Sequence, residues 1–206
     1  MDKGNATSVK EAMEFALQAF DTEAESLLAT KCRMDSASFC EAVKALAAAE
    51  RIATSGCGHS GIACMHFAHS LCCIERPARF LSPSEAVHGA TGYLQSGDVA
   101  VLASRGGRTD ELMPILGICR DKGVRVIGVT GNMSSPLAEK ADIILPMSVL
   151  RECDRYDSQG TTSFVVLSAI FDALQVAVME LTGFTNDRFA RIHPAGAVGK
   201  RLNGPV

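Results

Sequence analysis

Short apolar segments that alternate with helix-like segments constrain this fold more than any other feature of the sequence. Five such segments can be distinguished: RIATSG, ARFLS, VAVLAS, VRVIGVTG and DIILPM. Parallel strands need a crossover connection, usually a helix, so this alternation is typical of a parallel sheet with helices on both faces. We therefore predict an α/β protein: a doubly wound, five-stranded parallel sheet in a three-layer αβα sandwich.

Along the chain, helices are predicted both before and after this sheet core. Apolar residues recur at helical spacing over 8–29, which predicts an amphipathic helix with its polar face in water. A second helix is expected from Asp35, as N-cap, to Ala49, and a long core helix over 161–181. The last residues contain too many glycines for a regular buried element, and they place His193 in a loop. We expect one domain over 1–206: helices at about 8–49, the sheet core at about 50–147 and C-terminal helices at about 160–203.

The composition limits the kinds of partner that this chain is expected to bind. The chain has 206 residues, 47% of them hydrophobic, and a net charge of -3, so nothing suggests binding to nucleic acid. Asp172 and Glu180 interrupt the longest apolar stretch, and we expect no membrane association. The polar N-terminus lacks a signal-peptide pattern, and the eight cysteines form no CxxC pair. We expect a cytoplasmic protein with reduced thiols and a small-molecule ligand.

Three loops with similar composition follow predicted strands: SGCGHSG, SRGGRTDEL and TGNMSSPLAEKAD. Ligands of open α/β sheets bind at the carboxyl ends of the strands. Glycines and hydroxyls at helix N-termini favour an anion, and the converging loops therefore predict a phosphate site. Its candidate hydroxyls are those of Ser55, Ser60, Ser104 and Thr109. Thr109 and Ser135 are also good helix caps, so the two loops that contain them can be explained without a ligand.

The spacing of Gly56, Gly58 and Gly61 also permits a dinucleotide fingerprint. That interpretation needs an acidic residue about 20 positions on, to hold the ribose hydroxyls. Ser82 stands there, and Glu85 comes only after a proline. We therefore expect no nicotinamide cofactor, and no other cofactor.

A metal site is a further alternative, on the segment IACMHFAHSLCCI. His66 and His69 lie on a similar helix face there, with three cysteines nearby: Cys64, Cys72 and Cys73. The segment is otherwise so apolar that packing or a subunit interface explains it better. We predict no metal, although a substrate or metal contact stays open for His88.

The motifs together resemble a known family. The set GCGHSG, SPSEAVHG, SRGGRTDEL, TGNMSSPLAEKADIIL, RECD, TTS and RIHPAGAVGKRL is similar to the sugar isomerase (SIS) domain, most closely to its arabinose-5-phosphate isomerase branch. The resemblance runs over about 8–203. It implies a flavodoxin-like sheet, a sugar-phosphate ligand, and a homo-oligomer, often a homotetramer built as a dimer of dimers, with sites shared between subunits.

The resemblance also implies roles for particular residues. Its phosphate loop falls on Ser104, Gly106, Gly107 and Thr109. Its catalytic acids fall on Glu111 and Glu152, and its terminal histidine on His193, while Glu85 and His88 match a further motif.

Aldose–ketose isomerisation through an enediol needs a base, ring opening and oxyanion stabilisation. We expect Glu152 or Glu111 to act as the base, His193 to open the ring, and His59 with backbone N–H groups to stabilise the oxyanion. The complete set of binding residues expected here is Ser55, Gly56, Gly58, Ser60, Glu85, His88, Ser104, Arg105, Gly106, Gly107 and Thr109.

Several positions depart from the family pattern. His59 stands where the isomerases have Lys, Arg105 where they have Asn, Gly106 where they have Ser, and Arg108 where they have Glu. Arg105 or Arg108 can offset the missing hydroxyl by a charge-assisted contact to phosphate. Two alternatives therefore stay open beside an arabinose 5-phosphate isomerase: a phosphosugar-binding module without catalysis, and an isomerase of a hexulose 6-phosphate. We expect no C-terminal pair of cystathionine-β-synthase-type regulatory domains, because the sequence ends at GKRLNGPV.

Overall fold

The alternating pattern forms a sheet of five parallel strands in the computed structural model, which describes residues 8–204. The strands are β1 Ile52–Gly56, β2 Ala78–Phe80, β3 Val99–Ala103, β4 Arg125–Thr130 and β5 Ile143–Pro146. Their order is β2-β1-β3-β4-β5, with every neighbouring pair parallel. All positions of β1 and β3 are buried, as expected for a parallel sheet that is covered on both faces. The predicted fold class and strands are confirmed.

Helices connect and cover these strands. Within 8–204 they are α1 Val9–Arg33, α2 Ser36–Ala48, α3 Gly58–Cys72, α4 Pro83–Ala86, α5 Met113–Lys122, α6 Pro136–Lys140, α7 Thr162–Thr182, α8 Asn186–Ile192 and α9 Gly196–Asn203, with short 3₁₀ turns at Ala90–Tyr93 and Asp110–Leu112. Asp35 is the N-cap of α2, as predicted, because its carboxylate accepts from Ser38 N at 2.7 Å.

The sheet separates two apolar layers. On one face, side chains such as Val101 pack with α2, α3 and α7, and the rings of Phe67 and Phe171 stack with centroids 4.3 Å apart. On the other face, residues such as Leu102 pack with Ile115 and other side chains of α5. The alternation of inward and outward strand residues thus produces the predicted three-layer sandwich.

The helix α7 is long and apolar enough, by length and composition alone, to cross a membrane. Leu167, Phe171 and Leu174 on this helix are nevertheless buried against the sheet and the neighbouring helices. This packing is that of a core helix, as predicted for 161–181.

The first helix differs from its prediction in the face that it buries. The side chains buried on α1 are Thr22, Ser26 and Thr30, whose hydroxyls contact the segment after β5. Its apolar stripe is exposed instead, including Val9 at 89% and Phe20 at 72%. Periodicity identified the amphipathic helix correctly, but most of its apolar stripe is exposed, although Leu27 near its C-terminal end packs against the core.

The C-terminal segment forms two short helices, α8 and α9. The glycine content of this segment predicts that it contains no regular buried element. Both helices are largely exposed, and Gly199 is their one buried residue. Arg188 on α8 pairs with Glu75, which follows α3 and precedes β2. This contact holds α8 near the edge of the sheet at which the strands begin.

Candidate functional site

The second glycine loop, 104–109, is a closed turn after β3. The hydroxyls of Ser104 and Thr109 are 2.8 Å apart, and Gly107 N donates to Ser104 Oγ at 3.0 Å. Gly107 has a φ of 65°, and a Cβ there would collide with the hydroxyl of Ser135. The hydroxyls predicted to bind phosphate are therefore held together at the carboxyl end of the sheet.

Helix capping was an alternative explanation for the loops that contain Thr109 and Ser135, and the structure separates the two. Ser135 caps α6, because its Oγ accepts from Ala138 N at 3.3 Å. Thr109 precedes the 3₁₀ turn Asp110–Leu112 without a side-chain capping bond, and its hydroxyl faces Ser104 instead. Capping therefore accounts for Ser135 and does not account for Thr109.

The first glycine loop forms one wall of a cleft of about 340 Å³. Gly56 and Gly58 line it, and the exposed Glu111 stands on the 3₁₀ turn opposite. Burial, and then the negative charge of Glu111, raise the pKa of the Cys57 thiol between them. Cys57 is therefore a neutral thiol at neutral pH, and the acid in the cleft is Glu111.

The structure corrects the expectation for Ser55. Its side chain is fully buried, and its hydroxyl donates to the carbonyl of Leu81 at 2.7 Å. This bond ties β1 to the end of β2, so Ser55 does not face a ligand. Ser60 lies in the first turn of α3 and is partly buried.

Glu152 is a buried carboxylate beside loop 104–109, which is the predicted phosphate loop. It is 1% exposed, and its Oε1 accepts from Arg105 Nη1 at 2.9 Å. Its Oε2 accepts from Ser163 N at 3.0 Å and from the hydroxyl of Thr161 at 3.3 Å. A buried carboxylate is costly unless it is paired and hydrogen-bonded, and this network satisfies both conditions. The predicted catalytic acid is thus fixed at the same edge of the sheet as the predicted phosphate loop.

His59 is exposed and lies against the loop that precedes α7. A Cβ at Gly160 would stand 2.7 Å from His59 Nδ1, so a larger residue there would require the imidazole or the loop to shift. Asp154 shapes the loop by accepting backbone N–H bonds, from Gln159 at 2.8 Å and from Ser158 at 3.0 Å. These bonds, that from Gln159 first, lower the pKa of Asp154. The loop therefore links His59 to the segment that carries Glu152.

The remaining candidates lie at the border of the site or outside it. Glu85 on α4 and His88 just after it are both exposed, close to Ser84 in the wall of the cleft. His66 approaches Asp172, with nitrogen and oxygen 3.9 Å apart, and His69 lies 3.6 Å from the sulfur of Cys73. Across 8–204, no three His, Cys, Asp or Glu side chains are grouped to hold a metal ion.

His193 does not join the other predicted catalytic residues within one chain. It caps the C-terminus of α8, and its ring lies 4.9 Å from that of Phe189. The helix α7, 21 residues or about 31 Å long, carries the chain from the Glu152 region towards the opposite edge of the sheet. The contact of Arg188 with Glu75 keeps α8 at that opposite edge.

Sequence reasoning did not identify two features of the site. One is the ion pair between Arg105 and Glu152, which Asp157 supports with a carboxylate 3.7 Å from Arg105 Nη2. The other is the contact between Gly160 and His59. The acid-rich segment CDRYD and the glycine after it were the available signals, but neither indicated a partner far away in the sequence.

Comparisons with known proteins show what this chain is similar to. The SIS domain family model matches residues 45–177. Arabinose 5-phosphate isomerase KdsD of Pseudomonas aeruginosa is 37% identical over 157 residues, which are 76% of this chain and 48% of that protein. The chain therefore spans about half the length of the curated relatives it matches.

Two solved structures have the same fold over most of the chain. A proposed sugar-phosphate isomerase of Listeria monocytogenes has a TM-score of 0.88 and 37% identity, covering 92% of this chain and all of that one. An Escherichia coli CFT073 protein in complex with arabinose 5-phosphate has a TM-score of 0.84 and 25% identity, covering 91% of this chain and all of that one.

Proposed function

Because this chain belongs to the SIS domain family, we propose that it is a sugar-phosphate isomerase that interconverts an aldose and a ketose through an enediol. D-Arabinose 5-phosphate and D-ribulose 5-phosphate are the proposed substrates. The names of the Pseudomonas relative and of the Escherichia coli complex support this choice. The observation that carries the proposal is the buried carboxylate of Glu152, fixed beside the phosphate loop.

The proposed reaction moves one proton between neighbouring carbons. A carboxylate takes the proton from C2 of the open-chain aldose while O1 gains a proton, which gives the enediol. Return of a proton to C1 and loss of the O2 proton then give the ketose. Loop 104–109 holds the phosphate, Glu152 or Glu111 carries the proton, and His59 with neighbouring N–H groups stabilises the charge on oxygen.

The proposed ring-opening residue, His193, has to come from a second copy of the chain. It lies at the opposite edge of the sheet from Glu152 in its own protomer. The exposed apolar stripe of α1 supports an assembly, since such a stripe is typical of an interface. We propose a homo-oligomer, a dimer of dimers, whose sites are shared between copies.

We also propose a cytoplasmic location, which the free thiols of all eight cysteines support.

A second candidate function is phosphosugar binding without turnover. The pairing of Arg105 with Glu152 favours it, because the buried Oε1 of Glu152 is already engaged by Arg105 Nη1 at 2.9 Å and is not free to approach a substrate carbon. In that case the loop and the cleft recognise the sugar phosphate and the protein acts as a sensor.

Proton NMR in heavy water distinguishes these functions. The protein is incubated with a panel of pentose and hexose phosphates, D-arabinose 5-phosphate first. Deuterium at the carbon next to the carbonyl, with conversion of aldose to ketose, supports the isomerase and identifies its substrate. Saturable binding without exchange supports the sensor, and exchange only with a hexulose 6-phosphate changes the proposed substrate.

Variants then assign the base. Glu152→Gln and Glu111→Gln keep the size of each side chain while removing its charge. Glu139→Gln, on the exposed face of α6, is the matched control. The variant that stops exchange while still binding the sugar phosphate identifies the proton carrier, and full exchange in both variants would exclude the mechanism.

A further inference from the structure

A second cavity, of about 450 Å³, opens on the other side of the phosphate loop. It lies between the C-terminal half of α1, the loop itself, and the segments that follow β4 and β5. Its polar lining comes from Arg33, Arg105, Asn132 and Ser148, with the backbone of Gly106. No lining residue is shared with the cleft that contains Glu111, so the two openings are distinct.

The side chains of this cavity offer hydrogen-bond donors. Arg33 Nη1 donates to Ser148 Oγ at 3.4 Å, a bond that uses one of the five N–H donors of this guanidinium and leaves the others available to a ligand in the cavity that Arg33 lines. The Oδ1 of Asn132 already accepts from Ser134 N at 3.1 Å, so its amide NH₂ group is the part left to bind a ligand. Donors from three different segments therefore converge on one space.

Positive charge in the cavity is only partly balanced. Arg105 is paired with Glu152 and approaches Asp157, both outside the cavity lining. Arg33 has no carboxylate partner within 4.0 Å in the part of the chain that the structure describes. The described lining contains neither Asp nor Glu. A cavity with two guanidinium groups, further donors and no acid is complementary to an anion.

We propose that this cavity is a second anion-binding site, which takes a phosphate or carboxylate group held by Arg33, Arg105 and Asn132. Arg105 and Gly106 belong both to this cavity and to loop 104–109, so the two anions bind on opposite sides of one short loop. The same chemistry has two sources: a second acidic group on the sugar-phosphate ligand, or a separate small anion. Neither source requires turnover.

Calorimetric titration with inorganic phosphate tests the site. The variant Ser104→Ala/Thr109→Val weakens the phosphate loop, so the phosphate that it still binds reports on the cavity. Adding Arg33→Met to this background is expected to weaken phosphate binding about tenfold or more, because one charged hydrogen-bonding group is lost. Arg33→Lys keeps the charge and is expected to restore much of the binding.

The matched control is Arg120→Met, which removes a charge from an exposed position on α5. It is expected to leave phosphate binding unchanged. If Arg33→Met and Arg120→Met behave alike, or if the loop variant binds no phosphate while its thermal unfolding is that of the wild type, the second site does not exist.

Two ligands separate the sources of the anion. If a pentose bisphosphate binds the wild type at least about tenfold more tightly than arabinose 5-phosphate, and Arg33→Met removes this advantage, both anions belong to one ligand. If the two sugars bind equally and inorganic phosphate still binds beside saturating arabinose 5-phosphate, the second anion is separate. These equilibria are independent of turnover, so an inactive protein with two anion sites overturns the proposed function and leaves this proposal intact.

Discussion

The loops at the carboxyl edge of the sheet and the C-terminal segment differ in how they are held. Around Glu152 and Ser104, nearly every polar group has a partner, and the carboxylate is buried. Around His193, the helices are exposed, and the Nδ1 atom of this histidine is buried without a hydrogen-bond partner in the described chain. The anion and carboxylate half of the proposed site is thus preorganised within one chain. In the proposed oligomer, the histidine half depends on what a second copy adds.

The first helix shows the same contrast. Its polar side, with Thr30, is fixed by Ser148, whereas Phe20 on its apolar side is largely exposed. An amphipathic helix is stable when its apolar stripe is covered, and here the chain's own core covers little of it beyond Leu27. The comparison therefore predicts that variants in the two regions fail in different ways: local loss of chemistry in one, and loss of assembly in the other.

The largest expected effect is that of Glu152→Gln on turnover. The amide cannot accept a proton, so we expect kcat for arabinose 5-phosphate to fall about 10²- to 10⁴-fold while the oligomer persists. Steady-state kinetics and light scattering measure the two quantities. Turnover within about twofold of Glu139→Gln would show that Glu152 is structural.

The next effect tests whether sites are shared. His193→Ala and Glu152→Gln are expected to be inactive separately, because each lacks one half of the site. After joint refolding at equal amounts, random assembly gives about a quarter of the sites both native residues, with Glu152 from one copy and His193 from another. We expect about a quarter of wild-type activity, measured in the same assay. No recovery in mixed oligomers would place both residues of each site in one chain.

A related change breaks the assembly itself. Phe20→Glu puts a charge in the apolar stripe of α1, and we expect the oligomer to dissociate towards the 21.8 kDa chain, with loss of turnover. Gln18→Glu adds the same charge at an exposed polar position of the helix and is the control. Light scattering reads the mass. An intact oligomer in both variants would mean that the stripe is not the interface.

Much of this could be predicted from the sequence, because it depends on local patterns. Strand and helix positions follow from periodicity and caps, and the tight turn at 104–109 follows from its glycines and hydroxyls after a strand; its phosphate binding stays a prediction. The pairing of Arg105 with Glu152 joins positions 47 residues apart, and no local pattern reports it. Likewise, the periodicity of α1 predicts an apolar face, but it does not say whether that face meets the chain's own core or another chain.

Ser55 illustrates the same limit within a motif. Its place in a glycine loop after a strand is typical of an anion contact, yet its hydroxyl turns inward to Leu81. The direction of a side chain at the end of a strand is set by the pleat and by the neighbouring strand, whose position only the fold defines.

A smaller effect concerns the rigidity of loop 104–109, the proposed phosphate loop. In Gly107→Ala, the alanine has to adopt the left-handed φ of 65° that Gly107 has, and its Cβ collides with Ser135. We therefore expect the free energy of unfolding to fall by about 2 kcal/mol. Gly106→Ala is the matched control, since its Cβ would meet nothing within 4 Å. Urea unfolding measures both. Equal losses would show that the loop yields, and that this half of the site is less preorganised than the geometry indicates.

The smallest effect reports on the cleft between Cys57 and Glu111. The negative charge of Glu111 disfavours the thiolate and contributes to the raised pKa of Cys57, so Glu111→Gln is expected to lower that pKa and increase the thiolate fraction at a given pH. Alkylation of Cys57 by iodoacetamide at pH 8, followed by mass spectrometry, should then be about two- to threefold faster, while burial keeps it slower than that of the exposed Cys40. An unchanged rate would mean that Glu111 points away from the first glycine loop in solution, and the carboxylate half of the site would then consist of Glu152 alone.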